Sequence, residues 1–220
     1  FSALNGGPAF KPTPAISFLV RLESEAEVNA LWEGLGEGGS VLMPLDGYPW
    51  SRRYGWLQDR YGVSWQIAVH ETASQGPAIT PSLMFTRDNM GRAAEAIALY
   101  TSVFPGSAKE HVELRGTADG EAAGTVLFGS FTLFGQEFSI MDAPGVHDFG
   151  FTEGLSLMVS CDTQAEVDHY WEALTADGGQ ESQCGWLKDR FGVSWQITPT
   201  VMEGLMASSD RAAADRLMTA

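Results

Sequence analysis

The chain is poor in positive charge. Against 28 Asp and Glu it sets 13 Lys and Arg, a formal net charge of −15 over 220 residues. So acidic a surface repels phosphate backbones and anionic lipid, and no basic cluster offsets it locally, which argues against nucleic-acid and membrane partners. Long apolar runs are missing as well. None approaches the roughly 18 to 20 residues of a membrane span, and no basic segment precedes an apolar one, so neither a span nor a signal peptide is visible. A cytoplasmic protein is expected. Cysteine is scarce: Cys161 and Cys184 are the two, and they read as free thiols of a reducing compartment. The histidines His70, His111 and His169 are scattered without the spacing of a ligand set and read as surface residues. No strand runs through a glycine-rich turn into a helix with an acidic residue about twenty positions on, and no nucleophile elbow occurs. No cofactor is expected.

What is present is repetition. Residues 55–67, Gly-Trp-Leu-Gln-Asp-Arg-Tyr-Gly-Val-Ser-Trp-Gln-Ile, return at 185–197 with two changes in thirteen positions. The echo reaches upstream: Ile16-Ser17 answers Leu155-Ser156, Glu27-Val28 with Trp32 answers Glu166-Val167 with Trp171, and Gly38-Gly39 answers Gly178-Gly179. A repeat of about seventy residues is a small folded module.

Each copy reads as strand, helix, strands. Residues 15–22 form a strand-like run. Ser24-Glu25-Ala26-Glu27 then supplies a capping box ahead of Val28, Leu31, Trp32 and Leu35 at helical spacing, and Thr163-Gln164-Ala165-Glu166 does the same for Val167, Tyr170, Trp171 and Leu174. The intervening segment has the same order: a strand over 81–86, a helix over 89–103, and strands over 109–115, 125–133 and 137–141. Thus βαβββ follows βαβββ. Residues 81–200 read as one complete pair and 1–72 as the second half of another, opening on a strand remnant at 1–4. Residues 73–80 read as a linker and 201–220 as a helical tail. A first half-module is expected to be missing: if it is truly gone, 1–72 should need a partner chain to bury its apolar face, which predicts a homodimer, and if it lies outside these residues a monomeric tandem suffices.

Paired βαβββ modules, Asn5-Gly6-Gly7-Pro8 at a strand exit, and the Gly-Trp-Leu to Trp-Gln-Ile motif at 185–197 together resemble the PhnB-like family. That family carries the 3-demethylubiquinone-9 3-methyltransferase label. It lies in the vicinal oxygen chelate superfamily with glyoxalase I, bleomycin-resistance proteins and extradiol dioxygenases. The resemblance implies an α+β fold in which paired modules form a glyoxalase-like eight-stranded cup, one complete pair plus half of another. It also implies that metal-dependent relatives carry Glu where this chain has Gln66 and Gln196, and His where it has Ser17 and Ser156. An amide and a hydroxyl are weak ligands, so no metal is expected.

Strand alternation puts Val193, Trp195 and Ile197 on one face and Ser194, Gln196 and Thr198 on the other. Candidate ligand-binding residues of the cup are Asn5, Ser17, Trp56, Gln66, Asp142, His147, Ser156, Trp186 and Gln196. Trp56 and Trp186 are candidates for stacking on a ligand, and Asp142 and His147 for polar groups at the mouth. Asp59-Arg60 and Asp189-Arg190, just ahead of Gly62 and Gly192, read as turn chemistry, a carboxylate capping backbone amides. The expected function is metal-free binding of a small molecule. A metal-dependent lyase, isomerase or dioxygenase is the alternative, and methyl transfer ranks third. No catalytic residue is assigned.

Overall fold

The computed structural model describes residues 1–4, 6–70 and 79–201, with only the backbone of Glu121. Asn5, the linker up to residue 78 and the tail beyond residue 201 lie outside the described residues. The chain divides into two compact units, Phe1–Leu155 and Ser156–Ala220.

The first unit contains β1 (Ile16–Leu22), α1 (Glu25–Gly36), β2 (Ser40–Tyr48), β3 (Ser51–Gln58) and β4 (Ser64–Val69), then β5 (Ile79–Phe85), α2 (Ala93–Val103), β6 (Ala108–Leu114), β7 (Val126–Leu133) and β8 (Gln136–Asp142). Its eight strands form one sheet in the order β2-β3-β4-β1-β5-β8-β7-β6. The second unit contains β9 (Ser156–Cys161), α3 (Gln164–Thr175), β10 (Gln180–Glu181), β11 (Trp186–Lys188) and β12 (Ser194–Pro199). These strands form a separate sheet in the order β10-β11-β12-β9. The fold is α+β, a glyoxalase-like cup of paired βαβββ modules plus half of another.

Strand pairing joins β1 and β5 as hydrogen-bonded antiparallel neighbours, so the eight-stranded sheet runs from residue 16 to 142, and the strands of 156–199 form the other sheet. Periodicity does not encode this pairing of first strands. Residues 79 and 80, assigned to the linker from sequence, extend β5 because they pair with Val20 and Leu19. Phe1–Leu4 is exposed and forms no strand; these residues have no ladder partner, and a lone strand leaves its backbone groups to water.

The helices form where the sequence placed their caps. Ser24 accepts from the Glu27 amide while the Glu27 carboxylate accepts from the Ser24 amide, and Thr163 with Glu166 repeats the device. Helix α1 buries Val28 against Leu57, Ile67 and Val69, with Leu31, Trp32 and Leu35 around them. Gly55 explains itself here: a Cβ on it would lie 2.5 Å from the Trp32 ring. Gly185, its counterpart, is needed for another reason, since it sits at φ +78° with the Ile197 carbonyl oxygen 2.5 Å from where a Cβ would be. Helix α2 starts at Ala93, four residues later than its spacing suggested. Arg87–Asn89 is a separate 3₁₀ turn and Gly91 takes φ +89°, which breaks the helical path.

No described helix is long and apolar enough to cross a membrane. Cys161 is buried and Cys184 exposed, both as free thiols. Burial raises the Cys161 thiol pKa, with the Glu166 and Asp162 carboxylates adding to it. His70, His111 and His169 are exposed, as expected.

Candidate functional site

Both helices of the first unit pack on one face of its sheet, α1 over Leu57 and Ile67, α2 over the face that holds Phe131. Alternation therefore assigns Ser17, Ser64, Gln66, Tyr54 and Trp56, and likewise Thr80, Ser82 and Ser139, to the opposite, cup face. Strand register brings serines of five adjacent strands into one row: Ser64 opposite Ser17, Ser17 opposite Ser82, Ser82 opposite Ser139, and Ser139 opposite Ser130. The seam between the two modules runs between Ser17 and Ser82.

Gln66 spans that seam. Its Nε2 donates to Ser17 Oγ at 2.8 Å and to Ser82 Oγ at 3.4 Å, while its Oε1 accepts from the Tyr54 hydroxyl at 2.7 Å. Trp56 Nε1 donates to Ser64 Oγ at 2.7 Å. Gln66, Ser17, Ser82 and Tyr54 are all buried, and burial, helped by nearby Tyr48, pushes the Tyr54 hydroxyl well above the ordinary tyrosine pKa. Two further hydroxyls on this face, Thr80 Oγ1 and Ser139 Oγ, are buried and meet no hydrogen-bond partner among the described residues.

The sequence candidates fare unequally. Ser17, Gln66 and Trp56 come together on the cup face. Ser156, Gln196 and Trp186 form the matching set in the second unit, where Gln196 Nε2 donates to Ser156 Oγ at 2.7 Å. Asp142 does not face the cup. Strand alternation puts it with Ile140 on the helix side, fully buried, where its Oδ1 accepts from the Gly91 and Ala93 amides and its Oδ2 from Val126 N. It caps α2 from a neighbouring strand, which is why α2 needs no cap of its own. His147 makes local contacts in its loop, with Nε2 3.3 Å from the Pro144 carbonyl and its ring beside Phe149.

Asp59 and Asp189 are turn residues, as read from sequence. Asp189 Oδ1 accepts from the Phe191 and Val193 amides and its Oδ2 from Trp195 Nε1; Asp59 does the same for Tyr61, Val63 and Trp65. The most strongly repeated motif is thus a clip that fastens a turn to the tryptophan of the next strand. The sequence missed Tyr54, Thr80, Ser82 and Ser139. Ser82 and Ser139 correspond in register to Ser17 and Ser64, yet their module shares no long motif with the others, so only the pairing exposes the correspondence.

The set Gln66, Ser17, Ser82 and Tyr54 does not fit a divalent transition metal. It offers a neutral amide and neutral hydroxyls already bonded to one another. Among the described residues no group of three or more His, Cys, Asp or Glu is placed to hold a metal ion. Away from the cup, an open depression of about 430 Å³ lies on the helix side between α1 and β2, lined by residues that include Asn29, Trp32, Leu45 and Arg53.

The sequence profile described as 3-demethylubiquinone-9 3-methyltransferase matches residues 1–68 and 77–198. The chain belongs to this family. The PhnB protein from Bacillus cereus is 35% identical over 56% of this chain and 100% of its own, with a TM-score of 0.50. Glyoxalase I from Zea mays is 9% identical, covers 90% of this chain and 72% of its own, and has a TM-score of 0.57, a likeness of fold alone. Among curated proteins no match is found. As a family member the chain has the glyoxalase-like fold of the vicinal oxygen chelate superfamily.

Proposed function

We propose that this protein binds a small molecule, without a metal, on the cup face of residues 16–142. The observation that carries the reading is the pair of buried, unpartnered hydroxyls of Thr80 and Ser139 flanking Ser82. Burying such a group unpaired costs about 1 to 3 kcal/mol, and a ligand with a carbonyl, hydroxyl or amine would recover it. Gln66 and Tyr54 hold the neighbouring serines in place. No charged group of the row would neutralise a charged ligand, so a neutral polar molecule suits it best.

Methyl transfer, named by the family description, finds no support in the strand-to-helix turns. Those after β1 and β9 hold no glycine, and the one after β5 holds Gly91 alone, so none offers the glycine-rich phosphate loop of a nucleoside-bearing cofactor. The reading is tested by elemental mass spectrometry on tag-free protein purified without chelator. The expected result is well under a tenth of an equivalent of divalent metal. About one equivalent per chain would overturn it and make a metal-dependent lyase, isomerase or dioxygenase the primary reading. A thermal-shift screen of neutral small molecules should then give hits that Thr80→Val weakens, and S-adenosylmethionine should leave the melting curve unmoved.

A further inference from the structure

The helix tryptophan is treated differently in the two copies of the repeat. In 156–199, Trp171 of α3 donates its indole N–H to Glu181 Oε1 at 3.0 Å. In 16–69, Trp32 holds the same place on α1, but Val41 stands where Glu181 stands: Val41 lies opposite Leu57 and Glu181 opposite Leu187, the equivalent leucines of the repeated motif. Val41 is 58% exposed, and the Trp32 indole N–H meets no acceptor among the described residues. The Trp32 ring rests on Gly55 of β3 and lines the depression between α1 and β2. A second opening of about 380 Å³ shares Trp32, Glu33 and Val41 with it and continues the groove toward Glu37 and Ser40.

Two opposite charges line this groove without partners. Glu37, at its far end, pairs with Arg60 at 3.6 Å, and Arg52 on β3 pairs with Glu25 at 3.5 Å. Arg53 and Glu33 border the same depression, and neither forms an ion pair among the described residues. Arg53 is half-buried, and its Nε donates to Asn29 Oδ1 at 2.9 Å. That bond fixes the guanidinium and leaves its Nη nitrogens open to the groove, an arrangement suited to holding a carboxylate by two parallel bonds. The second copy keeps none of this. Gln183 stands in the place of Arg53 and Asp168 in that of Asn29, and β10, two residues long, supplies no wall like that of Pro44 and Leu45 on β2. The groove is therefore an addition to the βαβββ module and no by-product of folding it.

We infer that the groove between α1 and β2 is a second binding site, for a small zwitterion with a flat apolar side chain, the chemistry of a free aromatic amino acid. Arg53 takes the carboxylate, Glu33 takes the ammonium, and the side chain lies along Trp32, Val41 and Leu45. A ligand of one charge would be drawn by one of these residues and repelled by the other, whereas a ligand carrying both meets each with its opposite. The open Trp32 N–H adds a donor for a carboxylate oxygen. The groove lies on the helix side of the sheet, so the inference stands whether or not the cup face binds a ligand.

The test is equilibrium dialysis of the 220-residue chain at neutral pH against L-phenylalanine, hydrocinnamate and phenethylamine. L-Phenylalanine should bind, and the two analogues, one lacking the ammonium and the other the carboxylate, should each bind about tenfold or more weakly. Arg53→Gln, which installs the residue of the second copy, and Glu33→Gln should each weaken L-phenylalanine by about tenfold. Glu33 is exposed, so that variant should keep the far-UV spectrum of the parent. Val41→Glu should abolish binding and keep the fold, because it gives Trp32 the acceptor that Glu181 gives Trp171 and sets a negative charge beside the carboxylate. Thr80→Val, on the cup face, should leave the affinity unchanged. No retention at millimolar L-phenylalanine overturns the inference, and so does either analogue binding as tightly as the amino acid. An affinity that Arg53→Gln leaves intact overturns it too, and if Thr80→Val lowers that affinity, the amino acid sits in the cup.

Discussion

The modules at 16–69 and 156–199 share nearly the same thirteen-residue motif yet sit in different environments. In the first, β1 lies between β4 and β5, Ser17 is buried, and Gln66 bonds serines of two modules. In the second, β9 is an edge, Ser156 is half-buried, and Gln196 bonds Ser156 alone among the contacts found for it. The hairpins diverge too, with nine residues in β2 against two in β10. Ser64 accepts the Trp56 indole, whereas Ser194 Oγ is buried without a partner among the described residues. What stays constant is the Asp–Trp clip, whose contacts all lie within one turn and one strand. What changes depends on the strand next door.

Substitutions in pairs put this contrast to measurement. The largest effect is expected at the clip: Asp189→Ala should cost about 3 kcal/mol in urea denaturation, since Asp189 is 2% exposed and three donors lose a charged acceptor. Asp59→Ala should cost about half as much, because Asp59 is partly open to water that can replace the bonds. Equal losses would show that exposure does not set the difference. Next, Gln66→Leu should destabilise by about 2 kcal/mol by stranding Tyr54 and two serines, and Gln196→Leu by less than about 1.

The smallest effect is the pH dependence that Tyr54 adds in the first unit. Burial raises the folded Tyr54 pKa above the unfolded value of about 10, so its contribution to stability is whole below that pH. Above it the unfolded chain ionises first, and stability falls as pH rises toward the folded pKa. Tyr54→Phe should flatten that part of the decline between about pH 10 and 11, read as the difference in melting temperature between variant and parent. An unchanged slope would place the alkaline loss elsewhere.

Much of the fold was legible because its signals are local. The capping boxes at Ser24 and Thr163, the alternation around Gln66 and Gln196 and the turns at Asp59 and Asp189 are all decided by residues within a few positions of one another. The cup face was half legible: Ser17, Gln66 and Trp56 lie in the repeated motif, while Thr80, Ser82 and Ser139 come from a module that shares no long motif with it. Asp142 lies on the helix side because one step along a strand reverses the face, and only the helix packed over Ile140 reveals which face is which.

By itself, then, the sequence determined three βαβββ modules, their caps and turns, and the amide and hydroxyl residues carried by the repeated strands. Tertiary structure decided which modules share a sheet, because strand pairing is a contact between distant segments that periodicity cannot encode. It made Ser17 the centre of a closed seam and left Ser156 at an open edge, although the thirteen-residue motifs that close the two modules are nearly the same.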